Sequence, residues 1–230
     1  MSGAIAASHL TKIYAEGRLE VTAVSEVNIQ IEEGEVVGLF GPSGGGKTTL
    51  LSLLGCILRP TRGSLRIYGQ EVAGLGEEKL PQIRKRYISF VFQGFNLFPA
   101  LTAFENVMVV LKMKGIKGKG ARQRAEELFT KVGLAERMHF LPRDLSGGQK
   151  QRVAVTRALA ADSPLILADE PTGNLDYANG KTVMGILKEL ARERGKAVII
   201  ATHDNRIMEV FDRIVFMEDG RIKKESGSES

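Results

Sequence analysis

The sequence predicts an α/β fold with a largely parallel sheet. Val36–Phe40, Leu165–Ala168 and Ala197–Ala201 are short, wholly apolar runs, the mark of strands buried on both faces. Segments of helical period stand between them. Leu50, Leu53, Leu54 and Ile57 recur at i, i+3, i+4 and i+7, and Val183, Ile186, Leu187 and Leu190 repeat the pattern. Buried strands that alternate with helices lie side by side in one parallel sheet.

The elements follow in chain order. Val27-Asn28-Ile29-Gln30-Ile31 alternates apolar and polar residues, which predicts a half-buried strand closed by a turn at Glu33-Gly34. Val36–Phe40 runs into a glycine-rich loop and then the helical segment Leu50–Leu58. Ser64–Tyr68 is a further strand, ended by Gly69. Lys112–Arg124 is rich in lysine, arginine and glycine and is expected to be a solvated loop. Ala125, Leu128, Phe129 and Val132 then share a helical face, and Gly148–Asp162 is a second helix with Ala154, Ala158 and Ala161 along one side. Residues 95–160 are therefore expected to form a helical insertion, with 1–94 and 161–224 forming one α/β core. Ile214–Ile222 is a hairpin turning at Asp219-Gly220. The polar tail, residues 225–230, is expected to be disordered.

Composition excludes several classes. The 230 residues are 43% hydrophobic and 26% charged, which supports a real core and one globular unit. Cys56 is the single cysteine, so an internal disulfide and a cysteine-built metal site are both out. His9, His139 and His203 are too scattered to suggest a metal cluster. Thirty-two basic residues against 27 acidic give a net charge of +5, which permits phosphate or anionic-membrane binding and demonstrates neither. No signal peptide is expected, because the N-terminal stretch lacks a basic segment followed by a continuous apolar one. Tyr87–Phe104 carries no charge, but Ser89, Gln93, Gly94, Asn96, Pro99 and Thr102 would need partners in lipid, which argues against a spanning helix.

Four motifs carry chemistry. Gly41, Pro42, Ser43, Gly44, Gly45, Gly46, Lys47, Thr48 and Thr49 fit G-x-x-x-x-G-K-[ST] between a strand and a helix. Such a loop wraps phosphates with backbone N–H groups. Lys47 supplies a point charge, Thr48 a hydroxyl for Mg²⁺, and the following helix its positive end. Asp169 and Glu170 end a buried strand, where Asp169 suits a metal and Glu170 an attacking water. His203 closes another strand at the ligand-binding edge of a parallel sheet, where Thr202-His203-Asp204 faces a terminal phosphate; a lone histidine is as readily structural. Ser146, within Leu145-Ser-Gly-Gly-Gln149, is an N-cap whose two glycines let amides approach an anion; by itself the segment reads equally as a capped helix start.

In this order the motifs resemble those of ATP-binding cassette ATPases, over Leu10 to Lys224. The stretches Phe90–Pro99, Leu101–Val107 and Ala168–Asp176, with a long loop expected between Tyr14 and Val24, are most similar to the lipoprotein-release and macrolide-export group. The resemblance implies a P-loop NTPase (RecA-like) core with a parallel sheet, an N-terminal antiparallel β subdomain and an inserted α-helical subdomain. It implies an ATPase using ATP and Mg²⁺, working as a homodimer that sandwiches two ATP. Each ATP would lie on the Lys47 loop of one copy and under Ser146, Gly147, Gly148 and Gln149 of the other. Tyr14 matches the aromatic that stacks on adenine, Gln93 the glutamine that reaches Mg²⁺ and water, and Asp176 the loop crossing the dimer interface. Thr48, Gln93 and Asp169 would hold the metal; Glu170, His203, Gln93 and Lys47 would be catalytic.

Two positions depart from the family pattern. Gly45 replaces a usual serine, and Gly94 a larger polar residue. A separately encoded integral-membrane permease is the implied partner, no nucleic acid is expected, and the chain would sit on the cytoplasmic face of the inner membrane. Export or membrane extraction is the leading implication; force transmission to wall hydrolases and iron–sulfur assembly are the alternatives. Phe95, Leu97, Phe98 and Leu101 either fill a helical core or line a groove for a permease helix.

Overall fold

The computed structural model describes residues 3–17, 19–173 and 175–227. Two sheets organise these residues. The first strands, β1 (Ile5–Glu16) and β2 (Leu19–Ile31), pair antiparallel. With β4 (Arg62–Ile67) and β5 (Gln70–Glu71) they form a sheet of order β2-β1-β4-β5. The second sheet uses β3 (Val36–Phe40), β6 (Ile88–Val91), β7 (Leu165–Asp169), β8 (Ala197–Ala201), β9 (Arg213–Glu218) and β10 (Arg221–Ser226), in the order β10-β9-β3-β8-β7-β6. Only the β9–β10 edge pair is antiparallel.

Strands β3, β7 and β8 of the second sheet are buried on both faces, which explains why they read as apolar runs, whereas β9 and β10 keep exposed residues. Leu165 and Leu167 of β7, with Ala197, Ile199 and Ala201 of β8, face one core. That core is shared with the antiparallel sheet and α1 (Lys47–Leu54). Ile166, Ala168, Val198 and Ile200 face the other core. This second core is closed by α3 (Ala103–Met113), α4 (Gly118–Lys131), α5 (Gly147–Ala160) and α6 (Tyr177–Arg194). A further helix, α2 (Leu80–Tyr87), leads into β6.

Several expectations need correction. Most of the stretch read as a solvated loop at Lys112–Arg124 is helical. It contains the end of α3 and the first half of α4, because Ala121, Ala125 and Phe129 bury one face while Lys117, Lys119 and Arg122 stay exposed. Alanine at the buried positions hid the period. The loop expected between Tyr14 and Val24 is a paired hairpin, with Tyr14 opposite Val21 and Lys12 opposite Val24. Leu19 and Val21 are 75% and 61% exposed, so no burial pattern announced that strand. The first helix stops at Gly55, which leaves Ile57 outside it and exposed. Glu225 and Ser226 belong to β10 rather than to a disordered tail, and Glu225 accepts from Arg213 at 2.7 Å. Residues 228–230, and Asn174 of the Ala168–Asp176 stretch, lie outside the described residues.

Candidate active site

Four adjacent parallel strands deliver the polar motifs to one edge of the sheet. The glycine-rich loop follows β3, Gln93 follows β6, Asp169 and Glu170 end β7, and Thr202-His203 follows β8. A cleft of about 330 Å³ collects Ser43 through Thr49, Gln93, Asp169, Glu170 and His203. This is the carboxyl edge, where open α/β sheets take ligands.

The loop owes its shape to glycine at positions where a side chain cannot fit. Gly41 has φ 144°, and a Cβ there would lie 1.9 Å from the Met217 carbonyl oxygen. Gly46 has φ 96°, and its Cβ would lie 2.5 Å from the Ala23 oxygen. Gly220, in the β9–β10 turn, donates its N–H to the Gly45 oxygen at 3.2 Å and accepts from the Ser25 N–H at 2.8 Å. The phosphate loop is thus wedged between β2 and that turn. Ala23, Met217 and Gly220 are supports that no motif signals, because they act through backbone atoms and close approach. Lys47 is buried at the mouth of the helix, with Nζ donating to the Gly41 and Pro42 oxygens at 2.7 and 2.8 Å.

The acidic pair is divided by its hydrogen bonds. Thr48 Oγ1 donates to Asp169 Oδ1 at 3.3 Å. Burial raises the Asp169 pKa above its ordinary value, against the Thr48 hydrogen bond; Glu170 adds to the rise and Lys47 opposes it. Glu170 is almost fully buried and has a left-handed backbone, φ 48°, which turns its carboxyl off the strand end. Oε2 accepts from Thr202 Oγ1 at 3.2 Å, and Oε1 lies 2.7 Å from His203 Nδ1. The histidine is 74% exposed, so its ring bridges a buried carboxyl to the open cleft.

The remaining predicted residues lie outside the cleft. Tyr14 is 43% exposed on the β1–β2 hairpin, with Lys12 Nζ 5.3 Å from its ring centre. Ser146 caps α5 through a reciprocal pair: its hydroxyl accepts from the Gln149 N–H, and Gln149 Oε1 accepts from the Ser146 N–H. Ser146 and Gly147 are exposed, and Gly148 and Gln149 partly so. Asp176 caps α6 by accepting from the Asn179 N–H, which holds its carboxyl below the ordinary value. Phe95, Leu97, Phe98 and Leu101 divide. Phe98 lines an apolar groove of about 480 Å³ beside Phe90, Phe92, Val109 and Met113, while Leu97 packs on the helical-side core. Leu101 borders a separate depression, and Phe95 is partly exposed.

Fold and site together define a P-loop nucleotide-binding ATPase with a helical arm. The chain matches the ABC transporter family over residues 24–173. It is 47% identical, over 92% of its length and 90% of the relative's, to an uncharacterised ABC transporter ATP-binding protein of Thermotoga maritima. It is 42% identical to the macrolide export ATP-binding/permease protein MacB of Syntrophobacter fumaroxidans, over 95% of this chain and 31% of MacB. It superposes with a TM-score of 0.94, at 40% identity, on the cassette MJ0796 of Methanocaldococcus jannaschii, covering 98% of this chain and 99% of that one. That structure is a dimeric post-hydrolysis state bound to ADP and Pi. The chain belongs to the ABC transporter family, and it is an ATP-binding ABC ATPase of the group close to MJ0796 and the MacB ATPase domain.

Proposed function

We propose that this chain works as a homodimer with two ATP at the interface and drives a separate permease that exports a substrate or extracts it from the membrane. One observation carries the proposal: the cleft gathers Lys47, Thr48, Asp169, Glu170 and His203, while Ser146–Gln149 stands exposed elsewhere as an available helix N-terminus. A second copy supplies the missing wall, as an isologous pair does. The MJ0796 dimer and the MacB similarity support the two halves of this reading.

The residues divide the work. Backbone N–H groups of 43–49 and Lys47 Nζ bind the β and γ phosphates. Tyr14 stacks on the adenine. Glu170 takes the proton of the attacking water, oriented by Thr202 and His203, and ADP and phosphate leave. Thr48, Asp169 and Gln93 offer only oxygen ligands, and no cluster of three acidic, histidine or cysteine ligands exists among the described residues. That donor set fits Mg²⁺, which keeps waters and phosphate oxygens rather than entering a protein cage. Bound Mg²⁺ would neutralise charge on the transferring phosphoryl group. Asp176 lies at the dimer seam.

The groove beside Phe98 and Met113 suits an amphipathic permease helix. No helix among the described residues is long and apolar enough to cross a membrane. We place the chain at the cytoplasmic membrane face through that partner, with no nucleic-acid role. Tagged Glu170→Gln protein, loaded with ATP and used to capture partners from detergent-solubilised native membranes, tests the assignment. Recovery of a permease with a large extracytoplasmic domain is the expected result; recovery of soluble assembly proteins alone overturns it.

A further inference from the structure

Gln93 is exposed in the cleft wall and has no motif of its own to keep it there. Its backbone sits in a turn closed by the Phe95 N–H to the Phe92 oxygen at 3.1 Å. The two residues that leave the turn, Phe95 and Asn96, both have left-handed backbones, φ 61° and 49°. Two consecutive non-glycine residues in that region are strained and persist only where surroundings hold them. Arg157, on α5, supplies the hold: Nη2 donates to the Phe95 oxygen at 2.9 Å and Nη1 to the Asn96 oxygen. A planar guanidinium suits this, because it serves two adjacent carbonyls at once, which an ammonium does not do with fixed geometry. Among the described residues Arg157 forms no salt bridge, so carbonyl dipoles are its partners. Arg157, Asn96 and Phe98 also line the apolar groove. Ser146 caps the other end of the same helix.

We infer that Arg157 is a positioning residue that fixes Gln93 by clamping the backbone behind it, and that it ties Gln93 to both the groove and the signature end of α5. A segment seated in the groove presses on the clamp, and a shift of α5 carries the Gln93 turn with it. This rests on the proposed roles of the groove and of Gln93. It adds a specific linkage: two hydrogen bonds from one side chain to two strained residues.

The test uses Arg157→Met and Arg157→Lys in the full chain. Hydrogen exchange reports the clamp directly, and both variants should lose protection at residues 95–98 while the sheet core keeps its own. Steady-state hydrolysis reports the consequence. We expect kcat to fall roughly ten- to hundredfold, the usual effect of a misplaced group near the reacting centre, with KM for ATP little changed and the half-saturating Mg²⁺ concentration raised. Phe95→Gly together with Asn96→Gly removes the strain that needs holding, and in the Arg157→Met background the pair should restore much of kcat. Unchanged exchange at 95–98 overturns the clamp. Lowered thermal stability with unchanged kcat and Mg²⁺ dependence reduces Arg157 to packing and overturns the inference. A Gln93→Ala control that leaves both kinetic quantities unchanged, while exchange in Arg157→Met still rises at 95–98, locates the failure in the role given to Gln93, and the linkage to catalysis falls with it.

Discussion

At the scale of single residues, the glycines of the phosphate loop are not equivalent, although the motif writes them alike. A methyl at Gly41 would meet the Met217 carbonyl at 1.9 Å, whereas at Gly44 nothing lies within 4 Å. Gly41→Ala should therefore abolish ATP binding or folding. Gly44→Ala, at φ 79°, should cost about 1 kcal/mol in backbone strain and leave a competent loop. Thermal melting with and without nucleotide separates the two. Gly45 lies between these cases, because its Cβ would stand 3.0 Å from the Pro42 oxygen, so restoring the usual serine needs a small local shift. Glu170 gives a second prediction at this scale. Glu170→Gln keeps the side chain's shape beside Thr202 and His203 but removes the base. Hydrolysis should fall by about 10²–10⁴ with ATP still bound and dimer accumulating, measured by phosphate release and gel filtration. Wild-type turnover in this variant contradicts the assigned role.

Elements are held by their ends. The N-terminus of α3 carries a reciprocal cap in which the Thr102 hydroxyl accepts from the Glu105 N–H and Glu105 accepts from the Thr102 N–H. Thr102→Ala should destabilise the fold by about 1 kcal/mol in denaturant titration. Asp162, beyond the end of α5, joins Arg124 of α4, Arg194 of α6 and Lys196 at the start of β8. Burial pushes its pKa up, but the Lys196 hydrogen bond and the charges of Lys196, Arg124 and Arg194 outweigh that and leave it below the ordinary value. A depressed folded-state pKa contributes stability that is complete above the unfolded carboxylate's pKa, about 3.9, and that is lost as pH falls through the folded value. Asp162→Asn should cost about 1 kcal/mol at pH 7, since it removes the charge partner of the buried Lys196, which keeps its hydrogen bond to the Ser163 oxygen, while Asp162 itself is partly exposed. The gap between variant and wild type should narrow in melts as pH falls below the unfolded carboxylate's value of about 3.9.

For the whole molecule, the separation of Ser146–Gln149 from the cleft makes a prediction about two chains rather than one. Lys47→Ala disables the loop side of every site and Ser146→Arg the opposing side. Each variant should be inactive alone. Mixed, they should recover activity, because a mixed dimer contains one site with both Lys47 and Ser146 intact. Equal mixing makes half the dimers mixed with half their sites whole, so about a quarter of wild-type turnover is expected. No recovery on mixing contradicts a site shared between copies.

The sequence by itself determined the parallel sheet and the polar motifs. Strands buried on both faces must be apolar throughout, and a phosphate loop needs glycine, lysine and threonine at set spacing, so both leave direct marks. Local chemistry also determined the cap at Ser146 and the turn at Asp219-Gly220, whereas the cap at Asp176 appeared only in the structure. Tertiary structure decided what depends on contacts between distant backbone atoms. Met217 and Ala23 support the loop through backbone carbonyls, which any residue type would provide, so composition does not reveal them, and the packing of Gly220 on Ala23 is likewise set by contact between distant backbone atoms. The second half of the helix at Gly118–Lys131 was legible in Ala125, Leu128 and Phe129, but its first half buries only Ala121, too weak a hydrophobic signal to outvote its lysines and glycines. The end of the β1–β2 hairpin, with Tyr14, Leu19 and Val21 exposed, is held mainly by backbone pairing, which periodicity does not record, while Val24, Val27, Ile29 and Ile31 further along β2 are buried.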